Sequence, residues 1–251
     1  MRLGGSITTH AEDHAAGWRI DWHSHDEAQL IYARSGVMLV SLDRERWVLP
    51  PQRALWVPPE RAHAIDCRTA LSLRTLYLSG QAAAALPDCR VVSVSTLLSV
   101  LVLRLVEGPL VAGQRDLIES LILSELVATE VEPLRLPQPT DPRLLVISEA
   151  WSHDPADPRG LTEWASMLAL SERSLIRVIA KDCGMTFRQW RRQVRLLAAL
   201  EGLARGHQVT TVALDCGYQN LSAFVQSFRA TFGITPGRYF QGQETKLRND
   251  S

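Results

Sequence analysis

No two cysteines of this chain form a metal- or redox-type pair: Cys67, Cys89, Cys183 and Cys216 are too far apart for any C-x-x-C motif. No apolar leader with an Ala-x-Ala end opens the sequence either. Both absences predict a reducing cytoplasm. The longest apolar stretch, "LLSVLVL" from Leu97, is far short of the ~20 residues that cross a bilayer, so no membrane span is expected. There is no net charge, with 27 basic against 27 acidic residues. At 251 residues and 46% hydrophobic content, what remains is a soluble globular protein of one large or two ordinary domains, long enough to bury a core without external staples.

The charge that cancels overall is unevenly spread. Residues 1–140 carry 13 basic and 16 acidic side chains, whereas residues 171–238 carry 10 basic and 4 acidic. A basic segment suits a polyanion, although a solvated helix face produces the same modest excess. Between these regions lies "EPLRLPQPTDPR", from Glu132 to Arg143. Its prolines forbid a continuous helix or a central strand, so it is read as a linker. Before it, "QLIYA", "GVMLVSL", "RWVLP", "ALWVP" and "LSLRTLYL" are β-type runs separated by turn residues at the spacing of an all-β sandwich or barrel. Residues 96–107 and 114–130 then take helical periodicity. Leu117, Ile118, Leu121 and Ile122 make a wide apolar stripe on the second of these, which either packs on the β domain or pairs with a second chain.

The last third repeats itself. At an offset of 48, Leu161, Thr162, Trp164 and Ala165 fall on Val209, Thr210, Val212 and Ala213. At 49, Ser171, Leu175, Ile179, Gly184 and Thr186 fall on Asn220, Phe224, Phe228, Gly233 and Thr235. Each copy is expected to open on a threonine N-cap, run about two turns, turn tightly, and start a second helix at Ser171 or Asn220 that a left-handed glycine closes. Helix, turn, helix, twice, is the arrangement that lays a second helix in the DNA major groove.

Helical geometry then sorts the faces. Leu175, Val178 and Ile179 point inward in the first copy, with Arg173 and Arg177 opposite them. Phe224, Ser227 and Phe228 point inward in the second, with Ser222, Gln226 and Arg229 outside. Arginine matches guanine in bidentate fashion and glutamine matches adenine; ordinary surface side chains are the alternative, most readily for Ser222. The segment "RQWRRQVRLLAALEGLARG" is read as a connecting helix with Trp190, Val194, Leu197 and either Leu200 or Ala198 buried. On its expected solvent side, Arg191, Arg192 and Arg195, together with Arg229 of the following copy, are assigned to phosphate contacts that position without reading sequence.

The stretch from Leu161 to Phe240 resembles the DNA-binding domain of AraC/XylS transcription regulators. "ALDCGYQNLSAFVQSFRATFGITPGRYF" is similar to that family's second helix-turn-helix signature over its whole length. The resemblance implies base-facing positions at Arg173, Ile176 and Arg177 in the first recognition helix, and at Ser222, Ala223 and Gln226 in the second. The second set lacks a base-reading cation, so the first helix is expected to dominate specificity.

Upstream, "DWHSHDEAQLIYARSG", residues 21–36, reads as a β-hairpin carrying two histidines. Gly17, His23, His25, Gln29 and Gly36 have the spacing of the first cupin motif, with glutamine where a glutamate often binds metal. "VPPERAH", Val57–His63, resembles the second, with Glu60 where glycine is usual. Cupin-like barrels are the usual sensing domain ahead of an AraC-type DNA-binding domain. Two readings of the histidines stay open. His23 and His25 on one side of a strand, with His63 from a neighbour, would hold a divalent transition metal. Alternatively they belong to a hydrogen-bonding effector pocket with Gln29 and Trp56 as ligand contacts.

Together these features predict two domains: an N-terminal all-β cupin-like barrel followed by helices (1–132), a linker (133–143), and a C-terminal all-α double helix-turn-helix (144–251). The expected function is sequence-specific transcriptional regulation modulated by a small ligand, with no catalytic residues and no required cofactor. Expected partners are double-stranded DNA, a small-molecule effector, RNA polymerase and a second copy of the chain. A metal-dependent cupin dioxygenase or isomerase is the alternative; it would account for the barrel and leave the duplicated helices unexplained.

Overall fold

The protein is seen in a computed structural model that describes residues 7–51, 53–83, 86–127 and 134–241. Strands come first: β1 (Ile7–His14), β2 (Arg19–His23), β3 (Ala28–Ser35), β4 (Met38–Leu42), β5 (Glu45–Leu49), β6 (Arg53–Val57), β7 (His63–Cys67) and β8 (Leu71–Leu78). The one-turn helix α1 (Gly80–Ala83) and β9 (Arg90–Ser93) lead to α2 (Thr96–Glu107) and α3 (Gln114–Val127). After β10 (Arg135–Pro137) the chain is helical: α4 (Pro142–His153), α5 (Leu161–Met167), α6 (Glu172–Cys183), α7 (Phe187–Ala204), α8 (Val209–Asp215), α9 (Leu221–Phe232) and α10 (Pro236–Gln241). The β-rich part followed by helices, and then the all-helical part, are as the sequence patterns predict.

The described residues divide into two compact units. One runs to Asp43 and resumes over Trp47–Leu134; the other joins Arg44–Arg46 to the residues from Arg135 onward. Arg135 and Glu45 form an ion pair at 2.6 Å within the latter. The first part of the expected linker, with residues 128–130 of the helix read over 114–130, lies outside the described residues. The remainder is shorter than expected, because Asp141 caps α4 by accepting from Arg143 N, and Pro142 takes the first helical position. Proline suits that position, since its missing N–H would have no partner there.

In the first unit, one sheet has the order β1-β8-β3-β6-β9, and β5-β4-β7-β2 run side by side in the other. This corrects the hairpin reading of residues 21–36. β2 pairs with β7 and β3 with β6 and β8, so the chain crosses between sheets after His23. β3 and β6 are buried on both faces. On one face Ala28, Leu30, Tyr32, Trp56, Leu76 and Leu78 pack with Leu98, Val102 and Leu105 of α2 and Ile122 and Leu126 of α3. The apolar stripe on α3 splits: Ile118 and Ile122 face this core, while Leu117 and Leu121 are exposed. On the other face the register sets Gln29 opposite Tyr77 and Ile31 opposite Thr75.

The second unit has a core of Leu144, Ile147, Trp151, Trp164, Leu175, Ile179 and Trp190 around its first repeat. The Trp151 ring meets Trp164 and Trp190 edge to face at 6.4 and 4.8 Å. In the second repeat Phe228 is flanked by Phe224, Phe232 and Tyr239 at 5.7, 4.6 and 5.4 Å. Such pairs add to the area the rings bury.

Candidate functional site

The two repeats share one pattern of caps and turns. Ser171 Oγ accepts from Ser174 N and Asn220 Oδ1 from Ala223 N, capping α6 and α9. Gly184 (φ +66°) and Gly233 (φ +77°) close them in the left-handed conformation, as the sequence predicts. The threonine caps do not hold: Gly160 and Gln208 are the N-caps of α5 and α8, and Thr162 and Thr210 sit one residue inside the helix start. Thr162 instead donates its hydroxyl to Glu172 at 2.6 Å. In the turns, Leu170 N donates to Ala165 O and Tyr218 N to Ala213 O, both at 2.9 Å. Residue 169 and its counterpart 217 both have positive φ, +52° and +74°. The first is alanine, for which that conformation is strained; the second is glycine.

Leu175 and Ile179 are fully buried, and Arg173, Ile176 and Arg177 are exposed on the opposite side of α6. On α9, Phe224 and Phe228 are buried while Ser222, Ala223, Gln226 and Arg229 are exposed. These side chains are therefore open to a groove. Beside α9, Arg188, Arg191, Arg192 and Arg195 of α7 line a cleft of about 640 Å³ with Tyr218 and Gln226. Arg188 was missed by the helical-face reading, although its place three and four residues before Arg191 and Arg192 puts it on their side of the helix.

Two of the arginines expected on the solvent side of α7 are turned inward. Arg191 donates to Asp157 O, and Arg195 donates to Pro155 O at 3.1 Å and to Gly217 O at 2.9 Å. Both are half-buried, whereas Arg192 and Arg188 are exposed. Burial, then the neighbouring Arg195 charge, lowers the Arg191 pKa below that of a free guanidinium. The cause lies in the packing: the chain after α4 and the α8–α9 turn cover that flank of α7 and present carbonyls that need donors. A helical wheel drawn for α7 alone does not contain those carbonyls. The expected buried stripe holds at Trp190, Leu197 and Leu200, with Val194 partly buried against the core, and widens to Leu196, Ala199 and Leu203.

In the first unit His23, His25 and His63 converge, with ligand atoms all within 4.8 Å of one another. His23 ends β2 and His63 starts β7, directly opposite in register. His25 lies beyond the strand rather than on it, and is held by its carbonyl, which accepts from Glu60 N at 2.7 Å. Glu60 has φ +61°, at the position where the cupin pattern usually has glycine. Nδ1 of His23 lies 2.7 Å from Asp21 O and Nδ1 of His63 2.9 Å from Arg61 O. His63 is 1% exposed, and Nε2 of His25 and of His63 are buried without a hydrogen-bond partner. Buried polar atoms are rarely left so, and these orphans suit a metal ion. Burial pushes the pKa of His63 down to about 4 and that of His25 in the same direction, so both are neutral near pH 7, the form that ligates.

Gln29 and His23 line a cavity of about 340 Å³ with Thr75, Tyr77, Ile65 and Leu73. Gln29 Nε2 donates to Tyr77 OH at 3.3 Å, and its Oε1 has no partner. Trp56 is not part of it. Trp56 pairs with Leu30, one residue out of phase with Gln29, so its ring goes to the helix-covered face, where Nε1 donates to Leu86 O at 2.8 Å. Sequence reasoning missed Thr75 and Tyr77; their alternation with apolar residues in "LSLRTLYL" is the signal that would have found them.

Comparison with known proteins follows the same division. Residues 7–125 match the AraC-like ligand binding domain family and residues 164–242 the helix-turn-helix domain family HTH_18. The HTH-type transcriptional regulator NimR of Escherichia coli (strain K12) is 33% identical over 220 residues, which are 86% of this chain and 81% of that protein. The HTH-type transcriptional regulator RipA of Corynebacterium glutamicum is 30% identical over 121 residues, 48% of this chain and 36% of RipA. Among solved structures, ToxT from Vibrio cholerae aligns over 93% of this chain and 97% of its own, at 11% identity and a TM-score of 0.39. NimR and RipA are both named as transcriptional regulators. The chain belongs to the AraC family of HTH-type transcriptional regulators, with an AraC-like ligand binding domain ahead of its helix-turn-helix domain.

Proposed function

We propose that this regulator grips two successive major-groove segments of one DNA duplex with α6 and α9, and that a small effector bound between the sheets of the first unit modulates the grip. The observation that carries the reading is the repeat itself: two capped helices presenting Arg173, Ile176 and Arg177, and Ser222, Ala223 and Gln226, away from their cores. Arg192 and Arg229, joined by Arg188, hold phosphates; Arg191 and Arg195 are withdrawn from that role because backbone carbonyls already occupy them. The residues before the linker sense and dimerise, and those from α4 onward bind DNA. Leu117 and Leu121, exposed on α3, support pairing with a second copy. Contact with RNA polymerase and a cytoplasmic location complete the reading; no described helix is long and apolar enough to cross a membrane.

The test is footprinting of the full-length protein on its own genomic DNA, followed by titration of the protected site with Arg177→Ala and Arg192→Ala proteins. The first should lose ~1–3 kcal/mol at that site and relax base preference, and the second should weaken all DNA about equally. Identical behaviour of the two would refute the assigned roles.

The effector pocket is built from Gln29, Thr75 and Tyr77, and His23, His25 and His63 beside it hold a divalent transition metal. When bound, that ion supplies a Lewis-acidic anchor for ligand oxygen or nitrogen. Elemental analysis of untagged protein purified without chelator checks this: stoichiometric zinc, nickel or manganese is expected, and none after incubation with each would leave a pocket that works by hydrogen bonds alone.

A further inference from the structure

The polarity of the histidine cluster is set by the backbone around it. A carbonyl oxygen can only accept, so Asp21 O and Arg61 O hold the ring protons of His23 and His63 on Nδ1. Their Nε2 atoms are left as lone pairs. Gln29, 3% exposed, uses its amide nitrogen on Tyr77 OH and leaves a second kind of lone pair, Oε1, unpartnered. Every one of these atoms calls for a positive partner, and none of them carries negative charge.

Nor does the ligand set itself supply any. The group of ligand atoms within 4.8 Å of one another holds the three histidines and no carboxylate. Of the cavity-lining residues, Glu12 and Arg19 carry formal charge, and both are engaged: Glu12 lies 3.0 Å from His10 and 3.1 Å from His14, and Arg19 bonds Asp66 at 2.6 Å. Asp26 and Glu27, next to His25 in the chain, bring negative charge near it, yet neither joins the group of ligand atoms. A divalent ion on three neutral imidazoles therefore draws no charge compensation from its own ligands, which favours an anion as the next ligand. Three protein ligands also leave a coordination position open.

We infer that the effector of this regulator is a small carboxylate, one oxygen of which completes the shell of a divalent ion on His23, His25 and His63. This rests on the metal reading above and adds the class of molecule recognised. Two hydroxyls stand ready for the second oxygen. Thr75 is 1% exposed with Oγ1 unpartnered, and Tyr77 OH, which accepts from Gln29, keeps its own proton to donate. The cavity of about 340 Å³ admits a molecule of small-metabolite size, near the low end of the ~300–1,000 Å³ usual for ligand pockets.

The experiment uses full-length protein loaded with Co²⁺, whose visible absorption reports its ligands. Acetate, pyruvate and benzoate at millimolar concentration should change the spectrum saturably, whereas the uncharged isostere acetamide should not. Thr75→Val and Tyr77→Phe, which keep side-chain volume, should each weaken carboxylate binding at least tenfold while Co²⁺ still binds one to one. A one-to-one Co²⁺ protein whose spectrum ignores every carboxylate, or responds equally to acetamide or better to phosphate, overturns the carboxylate assignment and leaves the metal reading standing. Failure to bind Co²⁺ with the circular dichroism unchanged overturns both. Carboxylate binding to the metal-free protein, measured by calorimetry, overturns the anchoring role of the ion.

Discussion

The two helix-turn-helix copies have the same backbone and different contents. The first packs around Trp151, Trp164 and Trp190, takes its turn on Ala169 and presents two arginines on its outer face. The second packs around Phe224, Phe228, Phe232 and Tyr239, takes its turn on Gly217 and presents serine, alanine and glutamine. Its one outer cation, Arg229, is supplemented from elsewhere: Arg188 and Arg192 belong to α7 and border the same cleft as Gln226. Duplication thus preserved the turn, caps and inner face, which the fold demands, and let the outer face diverge. In the first copy the base-facing positions themselves carry charge; in the second the base-facing positions are neutral and the charge lies beside them, on Arg229 and on α7.

The contrast can be broken most forcibly from inside. Phe228→Ala, at a ring that is fully buried among three others, should destabilise the second copy by ~3–5 kcal/mol. Thermal unfolding should show that loss while α6 still supports weak DNA binding. Next in size, Arg177→Ala should cost ~1–3 kcal/mol at the operator, against a smaller loss for Gln226→Ala, whose neutral side chain makes no charge-assisted bond. Equal losses from the two would erase the proposed division of labour. Ala169→Gly, which copies the second turn into the first, should stabilise the protein by roughly 0.5–1 kcal/mol, because relief of a left-handed alanine (~1–2 kcal/mol) exceeds the added freedom of the unfolded glycine. The reverse exchange, Gly217→Ala, should destabilise, since its Cβ would come within 2.6 Å of Arg195 and 2.8 Å of Ala156. Smallest in free energy, Arg192→Ala should lower the salt dependence of binding by about one unit of slope on any DNA.

What the sequence discloses and what it hides separate by range. Caps, closing glycines and the inner faces of α6 and α9 depend on residues three or four apart, so spacing reveals them. The histidine cluster was legible for another reason: three imidazoles at those intervals have few other uses. Three things depended on distant partners. The crossing of the chain between sheets after His23 was hidden because a turn between paired strands and a turn between sheets use the same residues. Trp56 was placed in the pocket because its burial was legible and the phase of its strand relative to Gln29 was not. Arg191 and Arg195 were read as outward because the carbonyls of Pro155, Asp157 and Gly217 that hold them lie 22 to 40 residues away in the chain.

Those same carbonyls have a further effect. By bonding Pro155 O before the first copy and Gly217 O inside the second, Arg195 ties α7 to both copies and opposes their sliding past one another. A reader braced in this way measures distance as well as letters. One base pair inserted between the two contacted segments turns the far one about a tenth of a revolution around the duplex axis, and the rigid second helix then meets backbone where it had met bases.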